Sequence, residues 1–309
     1  MEDARELIEC SLSQLESSGR EVEIAFFGGS FTGIDRDLML SLLDIAQSYV
    51  GRGVCGIRMS TRPDYIDDEI VGILKRYTIA AVELGIQTMS PRVLEVSRRG
   101  HSVEDTRRAV RLLREAGFSV VGQMMVGLPA STREDEIKTA REICELGCSA
   151  SRIYPTVVLC GTQLEKMSKL GEYEPLGVDE AVSRSADVLE VFDNAGVECL
   201  RVGLCDSELL HSDDHYSAGP AHPAMGELVR GELWRRKITA ALKERDVFGK
   251  TVVITVPRGA LSAAVGQKKI NRTEYERITG SRVIIKENAA LAENTFAIHD
   301  TQEADEVCI

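Results

Sequence analysis

Two hydrophobic periods alternate along the first 200 residues, and this alternation restricts the fold more than any other feature of the sequence. Apolar runs typical of buried strands start at residues 22, 55, 80, 120 and 153. Segments with helical spacing lie between them, so that successive strands start 25 to 40 residues apart. Parallel strands need crossover connections of this kind. The sequence therefore predicts an α/β fold with parallel strands, either a doubly wound sheet or a partial or complete βα (TIM-like) barrel, and both bind ligands at the carboxyl ends of their strands.

The chain opens with a predicted helix over residues 4–17, and no strand precedes that helix. A βα repeat that begins on its helix lacks its first strand, so we expect the strand at residues 22–27 to form a free edge of the sheet. Beyond residue 200 a Gly-, Ser-, Asp- and Pro-rich segment precedes a predicted helix over residues 228–245. We therefore expect three parts: a partial barrel over 1–202, a connecting loop and helix over 203–246, and a small βααβ domain over 247–309.

Charge and composition exclude several classes of protein. Lys and Arg number 37 against 49 Asp and Glu, and this net charge of −12 argues against a protein that coats nucleic acid with its whole surface. The eight cysteines are scattered and do not make a disulfide framework. No apolar run approaches the roughly 20 residues of a membrane-spanning helix, and the acidic start MEDARE is unlike a secretory signal. We expect a cytoplasmic protein with reduced thiols and no membrane partner.

Four strand ends carry candidate ligand-binding residues. The first strand runs into Gly28-Gly29-Ser30, where a bare main chain lets a ligand approach or simply turns the chain. The second ends at Ser60-Thr61-Arg62, whose side chains suit a carboxylate or a ribose, or else cap the next helix. Glu83 and Gln87 on the third strand are expected either to be networked or to face a ligand, because burying them unpaired costs a few kcal/mol. The fourth strand ends at Gly127.

In this order and spacing, the four segments resemble the radical S-adenosylmethionine superfamily, and within it the radical domain of the Elongator catalytic subunit and its bacterial relatives. The stretches VELGIQTMSPRVLEVSRRGH (residues 82–101) and RIYPTVVLCGTQLEKMSKLGEYEPL (residues 152–176) carry the likeness, which covers about residues 20–180. The resemblance implies an enzyme that uses S-adenosylmethionine and a 4Fe-4S cluster to make a hydrogen-abstracting 5′-deoxyadenosyl radical. It also implies an electron donor such as ferredoxin or flavodoxin.

The resemblance also implies which residues contact the cofactor. Gly28 and Gly29 match the glycines of the family's Gly-Gly-Glu motif, which contacts the methionine amino group, and Ser30 stands where the Glu would be. Gln87 matches a strand-end position that faces the cofactor. The other expected cofactor contacts are Ser60 and Arg62 at the second strand end, and Gly127 and Tyr154 near the adenine.

The cysteines depart from the pattern of the family. Its members hold the cluster with three cysteines spaced CxxxCxxC, and the sequence contains no such triplet. Cys144 and Cys148 come nearest, but we expect them on one face of a helix in the core. Because the cluster loop of the family follows the strand that is missing here, we expect the sequence to start late, with the ligand cysteines encoded upstream. The alternative is a degenerate, non-catalytic homologue that binds S-adenosylmethionine or RNA.

The C-terminal βααβ pattern resembles a KH domain, with Gly266-Gln267-Lys268-Lys269 at the position of its GxxG loop. Lys269 replaces the second glycine of that loop. Residues 250–286 hold eight Lys or Arg and two Glu, a local charge of +6 in an acidic chain. Lys268, Lys269 and Arg272 are therefore candidate RNA contacts, and RNA, in particular tRNA, is a candidate substrate.

Two other interpretations stay open. A metal site would have to use the residues of the connecting loop, whose composition favours a solvated segment; the candidates are His211, Asp213, Asp214, His215 and His222. An unrelated TIM-barrel lyase or hydrolase would need a carboxylate or metal cluster at the strand ends, and Glu83 with Gln87 offers too little of one.

Overall fold

A computed structural model gives the fold, and it describes residues 2–15, 21–204 and 215–300. The chain divides into two compact units. The first consists of the residues up to Tyr154 together with Asn194–Leu200, and the second of Pro155–Asp193 and the residues from Arg201 onward. Within the described ranges, no helix combines the length and the apolar character needed to cross a membrane.

Six parallel strands form a curled half-barrel sheet, which confirms the predicted partial βα barrel. They are β1 (Glu23–Phe26), β2 (Gly56–Thr61), β3 (Ile79–Gln87), β4 (Val120–Val126), β5 (Ala150–Pro155) and β7 (Glu198–Val202), whereas the short β6 (Val158–Leu159) lies outside this sheet. The strand order is β1-β2-β3-β4-β5-β7, so β1 is an edge strand of this sheet, as expected.

Helices follow the strands of the first unit, and their ends carry the local signals that the sequence predicts. Ser102 and Thr132 begin the fifth and sixth helices with capping boxes, and Gly117 and Gly147 follow the last turns of these helices with positive φ. The helices are α1 (Glu2–Leu15), α2 (Arg36–Tyr49), α3 (Asp68–Leu74), α4 (Pro91–Val96), α5 (Val103–Glu115) and α6 (Arg133–Glu145).

The centre of the sheet is buried, and its register is irregular at one point. Val82, Leu84 and Ile86 of β3 are fully buried, so this strand lies deep in the core. The pairing of β3 with β4 shifts between Gly85 and Gln87. Such irregularities re-aim side chains and are frequent beside active sites.

The second unit contains helices α7 (Gln163–Lys169), α8 (Val178–Ala195) and α9 (Met225–Lys243), and a short strand β8 (Tyr216–Ala218). β8 pairs with β6 in an antiparallel ladder, so part of the connecting loop forms a strand that the sequence did not predict. Gly219 follows with φ +111, and a Cβ there would lie 3.0 Å from the Thr156 carbonyl oxygen. This close approach of two main-chain segments explains the glycine in a sequence that looked like a plain loop.

The chain continues through the predicted β-α-α-β order and adds one strand. The elements are β9 (Val252–Val256), α10 (Leu261–Val265), α11 (Ile270–Thr279), β10 (Val283–Glu287) and β11 (Ala297–Asp300). β9 lies in the middle of this sheet, parallel to β10 and antiparallel to β11. Trp234, Ile238 and Leu242 of α9 share one core with β9. The relationship to KH domains and the domain boundaries at residues 202 and 246 stay predictions.

Candidate functional site

The predicted cofactor-contacting residues lie at or beside the carboxyl ends of parallel strands, where such folds bind their ligands. Because the strands are parallel neighbours in one sheet, these ends share one edge, which we call the carboxyl edge. Gly28, Gly29 and Ser30 follow β1, Ser60 lies in β2 and Arg62 just after it, Gln87 ends β3, Gly127 follows β4, and Tyr154 lies in β5.

Gly28 and Gly29 leave an open stretch of main chain after β1. Gly28 has φ +99, and a Cβ placed on either glycine would meet no atom within 4 Å. The turn is fixed on both sides, because the rings of Phe26 and Phe31 stack with centroids 4.3 Å apart. Ser30 makes no capping hydrogen bond with its side chain. The open space over these glycines is the kind of cradle in which main-chain groups contact a ligand directly.

Arg62, predicted as a cofactor contact, is already engaged by a protein carboxylate. Its Nε and Nη2 donate to the two oxygens of Asp64 at 2.9 and 2.7 Å, and its guanidinium lies 5.4 Å from the centre of the Tyr65 ring. This hydrogen bonding to Asp64 raises the pKa of Arg62. Nearby, the Thr32 and Thr61 hydroxyls are 2.6 Å apart and join the first two strand ends. Because Asp64 accepts from two nitrogens of Arg62, the plane of the guanidinium is fixed, and only one face of the guanidinium can face a ligand.

Gln87 adopts a conformation that is uncommon for a side chain of its size. Its φ is +66, and the Thr88 N–H donates to the Ile86 carbonyl at 2.8 Å, so Gln87 is the central residue of a tight γ-turn. The side chain folds back toward the barrel: a Cβ on Gly85 would lie 2.8 Å from Gln87 Nε2. Within the described residues, no hydrogen bond engages the Gln87 amide, so this amide is available to a ligand.

Arg99 is a functional candidate that sequence reasoning missed. Its Nε is buried without a hydrogen-bond partner, and its Nη2 contacts the Met125 sulfur at 2.7 Å. Burial lowers the pKa of Arg99, and the neighbouring charge of Arg62 lowers it further. No carboxylate pairs with Arg99 in the described part of the chain. A desolvated guanidinium in this state is suited to bind an anionic group.

The loop after β4 is held by a buried acid. Glu136 in the first turn of α6 is 2% exposed and accepts hydrogen bonds from the Gly127 N–H at 2.7 Å and the Ser131 hydroxyl at 3.1 Å. A carboxylate is also favoured at a helix amino terminus. Glu136 therefore fixes Gly127, which has φ +80, from behind the carboxyl edge.

A layer of charged residues fills the barrel interior one level below the carboxyl edge. Glu83 is 2% exposed and lies between two arginines, with Arg152 Nε 2.8 Å and Arg58 Nη1 3.3 Å from its oxygens. Arg58 also contacts Glu23 at 2.6 Å, and Arg152 lies over the Phe27 ring at 5.7 Å. Of the two predicted alternatives for Glu83, a hydrogen-bonded network or contact with a ligand, the structure shows the network, which is made of ion pairs with Arg58 and Arg152. The next level down is apolar and consists of Ala81, Val121 and Ala150.

Tyr154 lies two residues beyond Arg152 on the same face of β5, and a hydrogen bond joins their side chains. Through Arg152 the charged layer therefore reaches toward the carboxyl edge. Whether Tyr154 and Gly127 contact an adenine stays a prediction.

The lysines predicted to bind RNA have an unusual backbone. Lys268 and Lys269 follow Gly266 with φ +52 and +63, and Lys269 begins α11 without a side-chain cap. In the described residues no acidic side chain pairs with either lysine, whereas Arg272 pairs with Glu276 at 3.1 Å. Lys269 keeps the left-handed conformation that a glycine would adopt readily.

Metal-ligating residue types do not converge in the described part of the chain: no group of three His, Cys, Asp or Glu there could hold an ion. His222 Nδ1 accepts from the Ala224 N–H at 3.1 Å, and the His215 carbonyl accepts from the Cys160 N–H at 2.8 Å. The expectation that Cys144 and Cys148 share a helix face was wrong, because α6 ends at Glu145 and the buried Cys148 lies beyond it. The remaining candidates, His211, Asp213 and Asp214, lie outside the described residues.

Comparison with known proteins identifies the class to which this fold and carboxyl edge belong. Residues 7–143 match the radical SAM superfamily, and residues 148–235 match the Radical_SAM C-terminal domain. The chain therefore belongs to the radical SAM superfamily, as its resemblance predicted.

Three individual proteins show which members of the superfamily the chain resembles. The chain is 32% identical over 182 residues to an uncharacterized protein of Methanocaldococcus jannaschii, covering 58% of the chain and 56% of that protein. It is 32% identical over 196 residues to the tRNA uridine(34) acetyltransferase of the same organism, covering 55% of the chain and 36% of the relative. The solved structure of the archaeal Methanocaldococcus infernus Elp3, with an N-terminal deletion, matches with a TM-score of 0.61 and 25% identity, over 76% of this chain and 58% of that one. The chain thus spans about a third to about half the length of these curated relatives.

Proposed function

We propose that this chain binds S-adenosylmethionine at the carboxyl edge, as part of a radical SAM enzyme that acts on RNA. One observation carries the proposal: the Gln87 amide makes no hydrogen bond among the described residues, and the Arg99 guanidinium, which contacts Met125 beside the end of β4, has a buried Nε without a partner. Both groups accompany the bare main chain of Gly28 and Gly29 after β1. Concave sites with a few well-placed polar groups are typical of cofactor pockets.

The chemistry of these groups fits the chemistry of S-adenosylmethionine. The methionine carboxylate suits the Arg99 guanidinium, because desolvation strengthens that ion pair. The methionine amino group suits the main-chain carbonyls at Gly28 and Gly29, and a ribose hydroxyl suits the Gln87 amide, which can both donate and accept. The cofactor supplies hydrogen-atom abstraction when it is bound and reduced. The chain's own residues bind it, orient it and exclude water.

The family implies a 4Fe-4S cluster as well, but the residues described here do not supply its site. No three cysteines converge in residues 2–15, 21–204 and 215–300; Cys148 is buried and Cys144 is half-buried. Thiolate ligands are what such clusters require. The role that we propose for the described residues is therefore limited to holding S-adenosylmethionine and the substrate.

An RNA substrate is supported by two independent observations. Relatives include the tRNA uridine(34) acetyltransferases of two Methanocaldococcus species. The second unit presents Lys268 and Lys269, which no acid among the described residues neutralises, in an exposed loop. Unpaired lysines bind phosphate through charge, independent of sequence. We propose that this loop contacts the backbone of the RNA.

Cofactor binding is tested by titration calorimetry with S-adenosylmethionine on protein reconstituted anaerobically with iron and sulfide. Arg99→Met is expected to weaken binding at least tenfold, because it removes the charge partner of the carboxylate. Arg111→Met is the matched control, since Arg111 is exposed on α5, and should bind within twofold of the unmodified chain. Absence of binding by the unmodified chain, or equal loss in both variants, would refute the proposed site.

Catalysis is tested separately by adding dithionite and measuring methionine and 5′-deoxyadenosine. Both products are expected from a radical enzyme. Binding without either product, in protein whose iron content shows a complete cluster, would favour the non-catalytic homologue, in which the same carboxyl edge holds the cofactor without chemistry.

RNA binding is tested by filter binding to tRNA across a salt series. The double variant Lys268→Ala/Lys269→Ala should lower the slope of log K against log salt by about two, because each phosphate contact contributes about 0.9. Lys75→Ala/Lys138→Ala is the control, since it removes the same charge from exposed positions on the first unit. Equal slopes for the two double variants would contradict a role for the loop.

A further inference from the structure

Gln87 is held in a strained conformation, and the source of the constraint lies 14 residues further along the chain. A positive φ costs a residue other than glycine of order 1 kcal/mol, and such residues persist only where the surroundings enforce them. The Ile86 carbonyl, on the amino side of Gln87, accepts from the Thr88 N–H at 2.8 Å and from His101 Nε2 at 3.2 Å. Two donors therefore fix the peptide group that sets the turn.

The hydrogen bond defines the protonation state of His101. A carbonyl oxygen can only accept, so Nε2 carries the proton and the imidazole is the donor. His101 is 8% exposed, and its Nδ1 is buried without a partner. Burial lowers the pKa of His101, which keeps the ring neutral. His101 thus keeps one buried ring nitrogen without a hydrogen bond, which costs folding free energy. Such a group in a native structure calls for an explanation, for example a role of the ring in the site.

The side chain of Gln87 is accommodated by a second adaptation. Gly85 leaves the space into which the Gln87 amide folds, since a Cβ there would come within 2.8 Å of Nε2. The register of β3 against β4 shifts between these two residues. The register shift of β3, the space left by Gly85 and the hydrogen bond from His101 therefore all support the same placement of the Gln87 amide.

We propose that His101 is a positioning residue: its Nε2–H holds the Ile86 carbonyl and thereby keeps Gln87 in the left-handed turn that presents its amide at the carboxyl edge. The inference rests on the proposed function in so far as the ligand of Gln87 is S-adenosylmethionine. The hydrogen bond and the turn themselves are independent of any ligand.

The hydrogen-bond role is tested by amide hydrogen exchange resolved to single residues. His101→Leu fills the buried position with an apolar side chain and removes the donor, and the Thr88 amide should then exchange about tenfold faster. His101→Gln places an N–H at the same number of bonds from Cβ as Nε2 and should restore exchange to within threefold of the unmodified chain. The Val110 amide, in the middle of α5, reports the fold and should stay unchanged. An unchanged Thr88 amide in His101→Leu would overturn the proposal, as would a failure of His101→Gln to restore its protection.

The consequence for binding is tested with the same variants and S-adenosylmethionine. His101→Leu is expected to raise the dissociation constant about tenfold, with recovery in His101→Gln. If the unmodified chain binds no S-adenosylmethionine, the proposed function fails while the exchange experiment still decides the role of His101. If the chain binds and His101→Leu binds equally well, the positioning role is wrong and the cofactor site stands.

Discussion

The Gln87 side chain folds over Gly85, so closely that a Cβ on Gly85 would lie 2.8 Å from Gln87 Nε2. The two residues lie in the same strand, two positions apart, where side chains of a regular strand point to the same face of the sheet. The glycine is therefore required by the position of its neighbour's amide, and a methyl group at residue 85 would move that amide.

Gly85→Ala should weaken S-adenosylmethionine binding about tenfold while the chain still folds. The displaced group is the end of a flexible side chain, so the core tolerates the methyl group but the amide loses its placement. Titration calorimetry measures the effect. Gly72→Ala in α3 is the control, because a Cβ there meets no atom within 4 Å, and it should bind within twofold of the unmodified chain. Equal affinity for Gly85→Ala would separate Gln87 from the ligand.

Glu83→Gln should lower the free energy of unfolding by about 3 kcal/mol. The substitution leaves Arg152 without its carboxylate partner, whereas Arg58 keeps Glu23, and an uncompensated, largely buried charge is strongly destabilising. Urea unfolding measures the loss. Glu274→Gln breaks an exposed pair with Arg277 and should cost less than about 0.5 kcal/mol. A loss for Glu83→Gln as small as that of the control would show that water reaches this layer.

Ser102→Ala should cost about 1 kcal/mol at pH 7 and less at low pH. The hydroxyl and amide of Ser102 donate to Asp105 and hold the pKa of that carboxyl below its usual value. A depressed pKa adds stability above the unfolded value of about 3.9, and this stability is lost as the pH falls through the folded pKa. The difference from the unmodified chain should therefore shrink below about pH 4. Urea unfolding at several pH values tests this, with the exposed Ser11→Ala in α1 as a variant whose effect should not change with pH.

Cys148 should resist alkylation that modifies Cys10 and Cys55. Burial raises the pKa of Cys148 to about 12, so almost no thiolate is present at pH 8, whereas the other two cysteines are exposed. Iodoacetamide labelling followed by mass spectrometry should show Cys148 unmodified until urea is added. Labelling of Cys148 at the rate of Cys55 in the folded chain would contradict its place in the core.

The sequence predicted where the site lies better than how it is held. Glycines and polar side chains directly after apolar strands are visible in the sequence, and the parallel topology brings Gly28 and Gln87 to one edge. The hydrogen bond from His101 to Ile86 joins residues 15 positions apart through tertiary packing, so no local pattern reports it.

Two arginines show the same limit. Arg62 was predicted as a cofactor contact, but its Nε and Nη2 donate to Asp64, two residues further along the chain. Arg99 was overlooked because Arg98-Arg99 looks like an ordinary solvated pair in the sequence. Only the fold shows that Arg99 Nε is buried without a partner, which is a property of its surroundings rather than of its residue type.

At the carboxyl edge, the residues that fix the main chain are buried and are different from the residues that can contact a ligand. Glu136, on the helix behind the loop, accepts a hydrogen bond from the Gly127 N–H and fixes that loop. In our proposal His101 fixes the turn at Gln87 through its hydrogen bond to the Ile86 carbonyl. Mutations of exposed residues at the carboxyl edge can then alter which ligand is bound without disturbing these buried residues. A scaffold divided in this way is well suited to evolutionary diversification, and it gives the protein engineer a set of positions to vary and a set to leave alone.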